Sequence, residues 1–178
     1  MSGRSTRTDS TKHLLLMLGL GILLVLAGCT LPIDQPTKQE HPVRLQFNNT
    51  INETTTFEVS VVQRPANITV YLNDGRVGEG LITEGSTVAY SGENQTYKRI
   101  ELPDSAYFHG RFTVKPGESN RTEINEQHLP VNFALVITVY ETENQIQAYT
   151  TMNCDDLDLN GYRVTRTSYG VSVTHSCG

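Results

Sequence analysis

Asp156-Leu157-Asp158-Leu159-Asn160-Gly161 sets three oxygen-bearing side chains at alternate positions ahead of a glycine. That is the first half of a D-x-[DN]-x-[DN]-G calcium loop, where alternate side chains reach one cation and glycine makes the sharp turn. The second half departs from the pattern, because Thr167 stands where the bidentate Glu belongs. As backbone chemistry the same stretch reads as a β-turn, since Asn-Gly is a strong hairpin signal and Asp favours turns. Asp155 adds charge beside Asp156, Asp158 and Asn160, so the expectation for a metal here is weak calcium binding at millimolar levels.

His175 and Cys177 stand two residues apart, on one face if the stretch is a strand, and together could ligate a transition metal. A blue-copper centre needs a second His and usually an axial Met. No ligand follows Cys177, and Met152 is the sole methionine beyond residue 17. His41, His109 and His128 show no H-x-x-H spacing. There is no G-x-S-x-G elbow, no G-x-G-x-x-G and no H-E-x-x-H. Gly80 and Gly85 have the separation of a phosphate loop, but Ser86 occupies the place of its Lys. No catalytic residue stands out, and a protein without enzymatic activity is the expectation.

What positions these residues begins with where the chain resides. Leu26-Ala27-Gly28-Cys29 closes an apolar run over residues 14–27, and Arg4, Arg7 and Lys12 precede it. Basic, apolar and small-residue regions in that order form a secretory signal. The run is about fourteen residues, shorter than the about 20 that a spanning helix needs. With Leu at minus three and Ala-Gly before the cysteine, the segment resembles the lipobox of prokaryotic lipoproteins. The resemblance implies that residues 1–28 are removed and that Cys29 carries covalent lipid. It places the remaining chain on the outer face of the cytoplasmic membrane, in the extracellular space, with the membrane as its first partner. One acyl chain gives only reversible binding, so stable attachment requires two or more.

With Cys29 lipidated, the odd count of three cysteines leaves Cys154 and Cys177 as a pair. Outside the cytosol such a pair is expected as a disulfide, contributing roughly 3 kcal/mol in the chain-entropy model. The signal segment carries three basic residues against Asp9, which leaves the mature chain near −7. That acidity, with no basic run, excludes nucleic acid as a partner. A Lys-poor, Thr-rich, acidic secreted chain resembles those of salt-loving archaea.

Residues 30–42, TLPIDQPTKQEHP, have three prolines and few apolar side chains, and they read as an extended tether over 29–42. From residue 43 to 178 the apolar period is two, as half-buried strands require. Phe57, Val59 and Val61 alternate with polar neighbours, as do Ile68, Val70 and Leu72. Asn73-Asp74-Gly75 then supplies a hairpin turn, with its return strand over 77–82. Further strands are expected over 87–90, 97–102, 107–114, 146–152, 162–169 and 171–177, with Pro116-Gly117 marking a turn. The run 131–140 is apolar on both faces, the mark of a strand at the centre of a sheet.

Eight to ten short strands with frequent turn signals and no sustained helical period predict an all-β fold, a two-sheet β-sandwich. The resemblance to immunoglobulin-like domains is architectural and implies no function. Asn48, Asn52, Asn67, Asn94 and Asn120 each stand in N-x-T, which predicts outward-facing acceptors for glycosylation if the host modifies its surface proteins. The expected role is that of a cell-surface lipoprotein acting as a structural or protein-interaction module, with another surface protein as partner and no bound cofactor. The alternative is an accessory protein that binds a small ligand or calcium beside a membrane transporter or enzyme.

Overall fold

Alternation sets the first strand, β1 (Val43–Asn49): Val43, Leu45 and Phe47 are buried while Arg44 faces solvent. The computed structural model describes residues 38–178 apart from 83–84, 92–95, 143–144 and 156. Along the chain follow β2 (Thr55–Gln63), β3 (Asn67–Leu72), β4 (Val77–Leu81), β5 (Gly85–Tyr90), β6 (Tyr97–Glu101) and β7 (Tyr107–Val114). The remainder are β8 (Ser119–Ile124), β9 (Phe133–Thr142), β10 (Gln145–Asn153), β11 (Leu159–Thr167) and β12 (Gly170–Cys177). The fold is an all-β sandwich of two packed sheets. Among the described residues twelve strands exceed the about seven to nine of immunoglobulin domains, so the likeness to them stays one of architecture.

Sheet A has the order β12-β11-β1-β8, and sheet B the order β4-β3-β6-β10-β9-β2-β7, with β5 also paired to β10. Within sheet A, β1 and β11 run parallel although about 115 residues separate them in the chain. Phe47 of sheet A stacks on Phe57 and Phe112 of sheet B at 5.0 and 5.1 Å between ring centroids, which joins the layers at the centre of the core. Fully burying one such side chain contributes about 1.5–3 kcal/mol.

The strand expected to be apolar on both faces is β9, and it lies between β10 and β2. Phe133, Leu135, Ile137 and Val139 enter the core between the sheets. Ala134 and Val136 point the other way, into a second cluster with Val62, Ala66, Ile68 and Ile82. After the cis Arg64-Pro65 bond the chain carries β3 across the outer side of β2 and β9, so sheet B covers its own back. Both faces of β9 are therefore dry from Phe133 to Val139.

Three boundaries differ from the sequence reading. Val131 lies outside β9, because Asn132 takes φ +57 and breaks the extended run before Phe133. Asn160-Gly161 is not a hairpin turn but part of β11, at a register shift against β12. The hairpin comes later, at 168–169, where Gly170 has φ +133. β8, SNRTEI, escapes the alternation test because it is an edge strand with one fully buried apolar side chain, Ile124. The expected turns do form at Gly75 and Gly117, both with positive φ. Among the described residues no helix is long and apolar enough to cross a membrane.

Candidate ligand-binding face

Because residues paired across a sheet share a face, the register of sheet A dictates what its outer side presents. Arg44 lies opposite Glu123 on one side and Gly161 on the other, and Gly161 lies opposite Ser176. In the next row Gln46 lies between Arg121 and Arg163, with Thr174 beyond. Asn48, between Ser119 and Thr165, begins the third row. The inward partners of these residues, among them Leu45, Tyr162 and Val164, fill the core.

The face is polar throughout and carries three guanidinium groups against one carboxylate. Arg44 Nε approaches Glu123 Oε1 at 3.5 Å, with both side chains more than half exposed, so the pair adds little stability. A relay of hydrogen bonds crosses the middle strands. Arg163 Nε donates to Gln46 Oε1 at 3.1 Å, Gln46 Nε2 donates to Asn48 Oδ1 at 3.0 Å, and Asn48 Nδ2 donates to Thr165 Oγ1 at 3.1 Å. The relay engages Arg163 through its Nε, and the side chain is exposed. Gly161 has no side chain to fill the row between Arg44 and Ser176, and an open cavity of about 670 Å³ lies over these strands. That volume falls in the range of small-ligand sites.

The end of the domain where the chain enters is organised differently. Gln39 is buried; its Oε1 accepts from Leu159 N–H at 3.0 Å and its Nε2 donates to the Leu159 carbonyl at 3.2 Å. The last residues of the expected tether are thus seated against β11. Cys154, just after β10, is bonded to Cys177 at the end of β12, with 5.6 Å between Cα atoms. The disulfide predicted from the cysteine count therefore ties sheet B to sheet A.

No protein-family model, curated protein or solved structure matches this chain.

The sequence-selected residues are only partly brought together. Asp158 Oδ2 accepts the Glu40 N–H at 3.1 Å, and Asn160 Nδ2 donates to the Gly178 carbonyl at 2.7 Å, so the two side chains hold the segment before β1 and the residue after β12. Asp156, the first residue of the calcium pattern, lies outside the described residues, as do Cys29 and Asn94. Among the described residues no group of three His, Cys, Asp or Glu side chains is placed to hold a metal. His175 is exposed on the edge strand β12, and Cys177 is taken up by the disulfide. Asn52 and Asn67 are exposed, Asn120 is half-buried beside Phe47, and Asn48 belongs to the arginine relay. Sequence reasoning missed Arg44, Arg121 and Arg163. The alternation of polar residues in each strand was the available signal, but it does not say which strands are neighbours.

Proposed function

We propose that this chain is a lipid-anchored cell-surface protein whose β-sandwich serves as a non-catalytic interaction module. The observation that carries the reading is the polarity of the fold. The chain enters at the end marked by Gln39, Leu159 and Gly178, and β1 and β11 both run away from it. At the opposite end the β11–β12 hairpin holds Tyr169 fully exposed. That hairpin is braced by the buried Arg166, whose Nη1 donates to the carbonyls of Thr167 at 2.8 Å and Gly170 at 3.2 Å. A domain attached at one end and rigidly displayed at the other suits presentation away from a surface.

Fractionation tests the anchor. Cys29→Ser is expected to move the protein from the membrane fraction to the medium with its melting temperature unchanged. Retention of that variant in the membrane overturns the reading. The cavity on sheet A, with Arg44, Arg121 and Arg163 among its lining residues, favours a second reading, in which the module binds a small ligand on behalf of a neighbouring membrane protein.

A further inference from the structure

We infer that the outer face of sheet A is a binding site for an acidic saccharide, a polyhydroxylated chain bearing carboxylate groups. The inference names the ligand class for the second reading above and does not depend on the anchor. Three of the fourteen basic residues of the chain meet on this face, in a chain whose net charge is −5. Arg121 and Arg163 flank Gln46 from the two adjacent strands, about 10 Å apart at a strand spacing near 4.8 Å. Each guanidinium can take a carboxylate through two parallel hydrogen bonds, a geometry that an ammonium cannot supply. Between and beside them stand groups that both donate and accept: the Gln46 amide and the hydroxyls of Thr174 and Ser176. Hydroxyl-rich rings match that set.

The occupant follows from what else the face presents. Protein partners are gripped through aromatic and apolar anchors. The large apolar side chains that are exposed, such as Phe108, Leu81 and Tyr169, all lie off this face. A bilayer is flat on this scale, whereas the three arginines and Gly161 line one cavity. An added Cβ at Gly161 would meet Ser176 Oγ at 3.3 Å and the Arg44 carbonyl oxygen at 3.7 Å, so the Ser176 hydroxyl sits close over this glycine.

Calorimetry on the full chain in detergent, with trigalacturonate as probe, tests the site. Saturable binding that weakens as salt rises is expected, with no saturable binding of neutral maltotriose. Arg121→Gln and Arg163→Gln should each weaken trigalacturonate binding about tenfold, the loss of one charge-assisted contact. Arg99→Gln, on β6 and paired with Glu101, should leave it unchanged. Gly161→Leu puts a side chain among the lining residues without altering charge and should abolish binding in protein that still melts cooperatively, so the test survives if an arginine variant misfolds. Equal binding of maltotriose overturns the acidic class but leaves a ligand-binding module standing. Equal or tighter binding of triglutamate overturns the saccharide in favour of an acidic peptide. Absence of binding by all three probes overturns the site and the second reading together, while the Cys29→Ser fractionation stands apart from both.

Discussion

The hydroxyl of Tyr162, on sheet A, is hydrogen-bonded to Thr150 Oγ1, on sheet B, inside the core. Ser86 Oγ of β5 lies 3.2 Å from the same hydroxyl, so one side chain makes two polar links between the layers. Tyr162 is 2% exposed and Thr150 fully buried, and water cannot replace the bond between them. Tyr162→Phe is therefore expected to lower unfolding free energy by about 1–3 kcal/mol, the cost of a buried polar group left without its partner. Urea denaturation of the two proteins checks this. The companion change Thr150→Val in the Tyr162→Phe background should recover part of the loss, because it removes the orphaned hydroxyl.

The same burial makes the fold sensitive to alkali. Burial pushes the Tyr162 phenol up, opposed by its hydrogen bonds with Ser86 and Thr150. Burial also raises Tyr97 and Tyr149. A phenol whose pKa is higher folded than unfolded keeps its proton longer in the native state. Its stabilising contribution is complete below the unfolded value near 10 and is lost as pH climbs through the folded value. Denaturation midpoints should hold steady up to about pH 9.5 and fall beyond pH 10, with a shallower fall for Tyr162→Phe.

Reduction of Cys154–Cys177 opens a loop with a sequence separation of 23 residues between the two sheets. The chain-entropy model assigns about 3 kcal/mol to a loop of that length. A Cys154→Ser, Cys177→Ser double variant should remain folded, because Phe47, Phe57 and Phe112 still join the layers, but melt well below the parent. Calorimetric melting with and without reductant measures the difference, and reductant should have no effect on the variant.

Gly170 starts β12 with φ +133, backbone that L side chains rarely adopt. A Cβ there would come within 2.9 Å of the Tyr90 ring, which is held in place by a hydrogen bond from its hydroxyl to the Val171 carbonyl. Gly170→Ala is expected to cost about 1–3 kcal/mol from backbone strain, with the steric clash in addition. Thermal melts that include a Tyr90→Ala, Gly170→Ala double variant separate the two, since removing the ring relieves the clash and leaves the strain.

On the native protein, glycopeptide mapping should find hexose at Asn52 and Asn67, the exposed acceptors, and none at Asn48. The amide nitrogen of Asn48 is engaged with Thr165 and its oxygen with Gln46. A modified Asn48 would place a glycan across the face of the arginine relay.

Local chemistry determined the strands. Period-two alternation located most of them, the double-faced run of β9 placed it inside a sheet, and the expectation of lipid on Cys29 singled out the pair Cys154 and Cys177, which the structure joins. Those features need only near neighbours in the chain, because side-chain direction alternates residue by residue whatever the strand pairs with. The polar side of β11, Arg163-Thr165, was legible in the same way, whereas β1 and β8, which carry Arg44 and Arg121, were not among the strands the alternation located. Only the tertiary structure decided that β8, β1, β11 and β12 lie side by side, since that order depends on contacts between segments up to about 115 residues apart. The second core under β3, the strand status of Asn160-Gly161 and the convergence of three arginines around one glycine are all consequences of that long-range pairing.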